Sequence, residues 1–155
     1  MKICCFTGHR QIAFSERARL VARLDALLAE LYGAGYREFR TGGARGFDTL
    51  VALRVLFFKN THPDCRLSLK LPCRDQTKGW REGERIVYED ILAAADEVRF
   101  LCEEYTPDCM HARNRALVDG ADLCVAYLTE NRGGTLYTAS YALKSNVEFC
   151  NLADE

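Results

Sequence analysis

Short apolar runs alternate six times with longer segments of helical period, and no other feature constrains this chain as strongly. The pattern is that of repeated βα units, in which parallel strands are joined by crossover helices. Ile3 to Thr7 reads as a first strand. Ser15 then caps a helix with the apolar stripe Leu20, Leu24, Leu27, Leu28 and Leu31, which Gly33 and Gly35 end. Tyr36 to Thr41 is a second strand, followed by a helix from about Phe47 to Phe58 that is apolar nearly all round and so expected to be well buried. In the third strand Leu67, Leu69 and Leu71 alternate with Ser68 and Lys70. That alternation predicts one less buried face, a position near the sheet edge, and an end at Pro72.

A polar loop from Cys73 to Gly79 leads into a helical segment over Trp80 to Ala95, and Glu97 to Leu101 is the fourth strand. Asp108 caps a helix reaching Asp119, and Asp122 to Leu128, the most strand-like run, is expected to be central. A glycine turn from Asn131 to Thr135 precedes a helix to about Lys144, and Val147 to Leu152 supplies the last strand. The predicted fold is a Rossmann-like three-layer α/β sandwich with a mostly parallel sheet of about six strands. At 155 residues it is read as one domain spanning 1–155.

Composition narrows the function classes. A hydrophobic fraction of 48% with 28% charged residues is that of a chain that folds alone. The net charge of −1 gives no overall field toward nucleic acid, which is not an expected partner. The N-terminal run is too short for a signal-peptide core, and no stretch of about 20 apolar residues occurs, so a cytoplasmic protein away from membranes is expected. The eight cysteines form no CxxC pair and no zinc spacing, so no metal site is expected and they read as small core hydrophobes. A redox or metal role for Cys65, Cys73, Cys102 and Cys109, nearer loops, is the alternative.

Three glycine-bearing junctions follow strands: Thr7-Gly8-His9-Arg10, Thr41-Gly42-Gly43-Ala44-Arg45-Gly46 and Arg132-Gly133-Gly134-Thr135. In an open parallel sheet all three converge on one rim, where helix N-termini present unpaired N–H groups. Any one alone reads equally as a tight strand-to-helix connection; together they point to phosphate. No P-loop lysine follows Gly46 and the glycines do not fit GxGxxG, which removes support for Mg-dependent NTP hydrolysis and hydride transfer.

Arg10 and Arg45 suit bidentate phosphate contact or are surface cations. Arg113 and Asn114 interrupt a buried helical stripe, so Arg113 needs a partner: a carboxylate such as Asp48 or Asp119, or a ligand phosphate. Asp48, in a first helical turn, either complements the helix dipole or holds a ribose hydroxyl. Trp80 and Tyr105 either stack on a base or cover the core edge. His111 has no partner at a motif spacing and receives no catalytic role; no catalytic residue is assigned.

The ordered set Thr7-Gly8-His9-Arg10, Thr41-Gly42-Gly43-Ala44-x-Gly46-x-Asp48, Gln76-x-x-x-Trp80, Arg113-Asn114 and Gly133-Gly134-Thr135 resembles the YpsA-like family of the SLOG superfamily, over nearly the whole chain. The resemblance implies a Rossmann-like fold binding a nucleotide-derived ligand such as ADP-ribose, NAD or an AMP-like nucleotide. It implies a binding or sensor role in bacterial stress or cell-division signalling, with unknown protein partners, and homodimers are common among superfamily relatives.

The related Lonely guy enzymes cleave the N-glycosidic bond of nucleoside monophosphates and carry an Arg-Lys pair and a Pro-Gly-Gly-x-Gly-Thr-x-x-Glu loop. Here Asn114 stands for the lysine, Arg132 for the proline, Leu136 and Tyr137 for Gly-Thr, and Ser140 for the functional glutamate. A serine cannot take that carboxylate's role. An enzyme is therefore not the leading expectation; a phosphoribohydrolase, with Asp48 or Glu130 substituting, is the alternative, and a DprA-like DNA-handling protein is a third.

Overall fold

The structure is a computed structural model that describes residues 1–130 and 133–154. Six strands and five helices alternate along it: β1 (Lys2–Gly8), α1 (Phe14–Gly33), β2 (Tyr36–Thr41), α2 (Phe47–Lys59), β3 (Arg66–Cys73), α3 (Glu82–Ala94), β4 (Glu97–Cys102), α4 (Cys109–Val118), β5 (Leu123–Tyr127), α5 (Gly133–Lys144) and β6 (Glu148–Asn151). Every strand pair is parallel, in the order β4-β3-β2-β1-β5-β6. The chain winds outward from β1 to β4 and returns to the other side of β1 for β5. A crevice opens at such a reversal, beyond the carboxyl ends of the strands.

The period of two along β1 assigns its residues to two layers. Cys4 and Phe6 face a thick core with Leu24 and Leu28 of α1, Val51 and Val55 of α2, and Ile91 of α3. Cys5 faces a thinner layer, where it meets Cys124, Leu117 and Val118 of α4, and Ala142 of α5. Burying each large side chain of the thick layer stabilises the fold by about 1.5–3 kcal/mol. Six of the cysteines, at 4, 5, 65, 73, 109 and 124, are buried with free thiols, and burial pushes the Cys4 thiol well up. That environment suits packing rather than reactivity.

Four local expectations change. The third strand is buried on both faces: Lys70 donates to Glu97 Oε1 of β4 at 2.8 Å, and Ser68 donates to the same oxygen at 3.2 Å. Its polar residues read as solvent-facing because their partner lies on a neighbouring strand. β4 is the edge, and β3 runs one residue past Pro72. β5 is interior and fully buried, yet β1 and β2 hold the middle of the sheet. The N-cap of α1 is Ala13, which makes no side-chain cap bond, and Ser15 lies inside the helix. On α2 the outward side leaves Leu53 41% and Phe57 63% exposed, with the Arg54 guanidinium over the Phe57 ring.

Candidate functional site

A cleft of about 1320 Å³ opens at the carboxyl ends of β1 and β5. Thr7, Gly8, His9 and Arg10 line it from the first junction, Ala44, Arg45, Gly46 and Asp48 from the second, and Gly133, Gly134 and Thr135 from the third. Arg113 and Asn114 of α4 complete the wall. Asn131 and Arg132 lie outside the described residues.

His9 fastens the junctions to one another. Its N–H donates to the Tyr127 carbonyl at 3.4 Å, and its carbonyl accepts the Phe47 N–H at 3.1 Å. Its ring Nε2 accepts the N–H groups of Thr129 at 3.0 Å and Glu130 at 3.2 Å. A nitrogen that accepts carries no proton, so the neutral ring holds its proton on Nδ1. Gly46 sits in the left-handed region at φ 77°, and a Cβ there would fall 2.3 Å from the Arg10 carbonyl oxygen. Only glycine lets the first two junctions approach this closely.

Gly42 and Gly43 do not wall the cleft. A Cβ on Gly42 would lie 2.4 Å from Arg113 Nη1, and one on Gly43 would lie 2.2 Å from Leu71 Cδ2. Both admit protein side chains at close range. Gly133 has no atom of the described residues within 4 Å of its Cβ position, and a Cβ on Gly134 would lie 3.4 Å from Asn114 Nδ2. In the third junction Gly133 is therefore the glycine that leaves room beside it.

Arg113 is 5% exposed, and its protein partner is Asp48 of α2, with Nη1 3.9 Å from Oδ2. Asp119 instead accepts from Tyr141 Oη at 2.7 Å. Arg113 Nη1 also donates to the Gly42 carbonyl, and Nε donates to Asn114 Oδ1 at 2.7 Å. Nη2 has no hydrogen-bond partner among the described residues. Asp48 Oδ2 accepts the Ala44 N–H at 3.1 Å and closes the second junction, while Oδ1 is buried without a partner among the described residues.

Burial raises the Asp48 carboxyl, against Arg113, the Ala44 N–H and Arg10, which lower it. Burial likewise lowers the Arg113 guanidinium, which Asp48 supports and Arg10 opposes. Two guanidinium charges thus bear on one carboxylate at the floor, an arrangement that favours an added anion.

Trp80 and Tyr105 are not in this wall. Trp80 packs edge-on to Tyr88 at 5.4 Å, under the Arg45 guanidinium at 5.3 Å, and Tyr105 is 62% exposed. Arg45 also faces Glu84 at 3.7 Å. Sequence reasoning missed Arg17, Arg81 and Glu84, which line the cleft from the first turns of α1 and α3. No local motif marks them; only the topology brings those helix starts to the rim.

Fold and cleft together define a Rossmann-like α/β protein with a glycine-bearing crevice at its topological switch point. The YpsA model of the YspA SLOG family matches residues 4–149, and the chain belongs to that family. It is similar to the uncharacterized SPbeta prophage-derived protein YoqJ of Bacillus subtilis (strain 168), at 28% identity over 82% of each chain. It is also similar to the UPF0398 protein BH1768 of Halalkalibacterium halodurans, at 31% identity over 88% of this chain and 71% of the relative. Among solved structures, DNA processing protein A from Helicobacter pylori, studied for its single-stranded DNA binding mode, superposes with a TM-score of 0.66 at 18% identity. That match covers 96% of this chain and 63% of the other, and at this identity it speaks for the fold alone.

Proposed function

We propose that the protein binds a nucleotide-derived phosphorylated ligand of the AMP, ADP-ribose or NAD type in this cleft, as a binding or sensor protein rather than a catalyst. The observation that carries the reading is Arg113: a buried guanidinium in the cleft wall that donates to the Gly42 carbonyl and Asn114 Oδ1, has one carboxylate at 3.9 Å, and keeps Nη2 without a partner among the described residues. A phosphate oxygen would satisfy it, with the open N-terminal turn of α5 at Gly133–Thr135 donating alongside.

The test is thermal unfolding against AMP, ADP-ribose, NAD and inorganic phosphate, with the recovered ligand analysed by chromatography. A ligand at about 100 times its dissociation constant adds about 2.7 kcal/mol, or roughly 5 to 10 °C for a chain of this size. A shift of that order with intact ligand supports the proposal; no shift with any of the four removes it.

A second reading, cleavage of the ribosyl bond, is favoured by the unpartnered Oδ1 of Asp48 and its raised carboxyl. Ser140 is exposed and is not part of the cleft wall, where the carboxylates are Asp48, Glu84 and Glu130. Released base or nicotinamide in the same incubation would favour this reading. Tight, salt-dependent binding of a single-stranded oligonucleotide would instead favour a DNA role like that of the DprA neighbour.

A further inference from the structure

Charge in the cleft is unevenly compensated. Arg10, Arg17, Arg45, Arg81 and Arg113 line it together with Asp48, Glu84 and Glu130. On the α3 side Arg45 faces Glu84, while Arg81 meets Glu84 Oε1 only through its backbone N–H at 3.0 Å and its guanidinium has no ion pair among the described residues. On the floor Arg113 faces Asp48. On the α1 side the side chains of Arg10 and Arg17 have no salt bridge or hydrogen bond among the described residues, and both residues are exposed. The Arg10 charge nevertheless reaches the floor, where it bears on both Asp48 and Arg113.

Two arginines without an ion pair among the described residues thus line the cleft on this side, Arg10 just after β1 and Arg17 in the first turn of α1. The imidazole of His9 lies in the same wall, with Nε2 committed to the Thr129 and Glu130 amides and its Nδ1–H without a partner among the described residues. The wall thus offers donors at a second position besides Arg113. The cleft, at about 1320 Å³, is more than a mononucleotide needs.

We infer that Arg10 and Arg17 form a second anion-binding pole at the mouth of the cleft, which selects ligands carrying at least two linked phosphoryl groups over monophosphates. This rests on the proposed phosphate-binding role of the same cleft. Arg17 is the selecting residue: Arg10 already acts on the floor, whereas Arg17 lies on the first turn of α1.

Calorimetric titration of the full chain with inorganic phosphate and pyrophosphate, and with AMP and ADP, tests the inference. The diphosphate of each pair is expected to bind about tenfold tighter than the monophosphate, as one added charge-assisted contact provides. Arg17→Ala is expected to erase that advantage by weakening the diphosphate about tenfold more than the monophosphate, and Arg17→Lys to keep part of it. Arg66→Ala, at the opposite end of the sheet, controls for the loss of one charge and is expected to retain the preference.

Equal binding of mono- and diphosphates by the natural chain would overturn the second pole while leaving the phosphate site standing. So would an equal weakening of both by Arg17→Ala. A pyrophosphate preference without any nucleotide binding would keep the pole and remove the nucleotide reading. Binding of none of the four would end both.

Discussion

Nη1 of Arg113 stands 3.9 Å from Oδ2 of Asp48, with both residues 5% exposed, and this pair joins α4 to α2 at the floor of the cleft. Gly42 makes it possible, since any Cβ there would occupy the guanidinium's position. The second glycine junction is thus shaped around an arginine from a different element.

Asp48→Asn leaves Arg113 as an uncompensated buried cation. Urea unfolding at neutral pH is expected to show a loss of about 3–5 kcal/mol, most of it recovered in the double variant Asp48→Asn/Arg113→Met. A double variant as unstable as the single one would show that the pair is not the source.

Gly42→Ala and Gly133→Ala separate two uses of glycine. The first forces a Cβ to 2.4 Å from Nη1 and 2.9 Å from Cζ of Arg113, and is expected to cost about 1–3 kcal/mol through overpacking. The second meets no atom within 4 Å among the described residues and strains φ 79°, at roughly 1 kcal/mol. Thermal melts that rank Gly133→Ala as the more damaging would contradict this assignment.

His9→Ala removes the acceptor shared by the Thr129 and Glu130 amides. Because both amides lie in an exposed stretch, water replaces the lost bonds and global stability changes by less than about 1 kcal/mol. Hydrogen exchange at 129 and 130 is expected to accelerate. Unchanged exchange there would mean that the ring does not hold this loop.

Glu97 carries a pH dependence of defined sign. Hydrogen bonding from Lys70, then its charge, holds the carboxyl below its usual range. With the folded value below the unfolded one of about 4.3, the stabilisation is present above that pH and is lost as pH falls through the folded value. The carboxylate side chain is 46% exposed, so the natural chain should exceed Glu97→Gln by less than about 1 kcal/mol near pH 7. The two should converge near pH 2; a gap that widens in acid would reverse the sign.

Much of this was legible in the sequence because it is periodic. Alternating apolar runs and helical stripes mark every strand and helix to within a few residues, and glycines after β1, β2 and before α5 mark the rim. What escaped depends on neighbours distant in the chain. Lys70 reads as solvent-facing until Glu97 of β4 is beside it, and Gly42 reads as a ligand turn until Arg113 of α4 fills its place. Arg17 carries no signal of its own, since a cation near a helix start is ordinary; the return of the chain to β5 beside β1 is what opens a crevice next to it. Ser15 reads as a cap by residue type, but the helix begins one residue before it.

An amide-resolved NMR titration with ADP-ribose, AMP and NAD, on the natural chain and on Asp48→Asn/Arg113→Met, tests ligand binding in this cleft most directly. Binding there requires saturable shifts concentrated at residues 8–10, 44–46 and 133–135, absent from a folded double variant. Shifts scattered away from these junctions, or unaltered in the double variant, would contradict it, as would no saturable shift with any of the three.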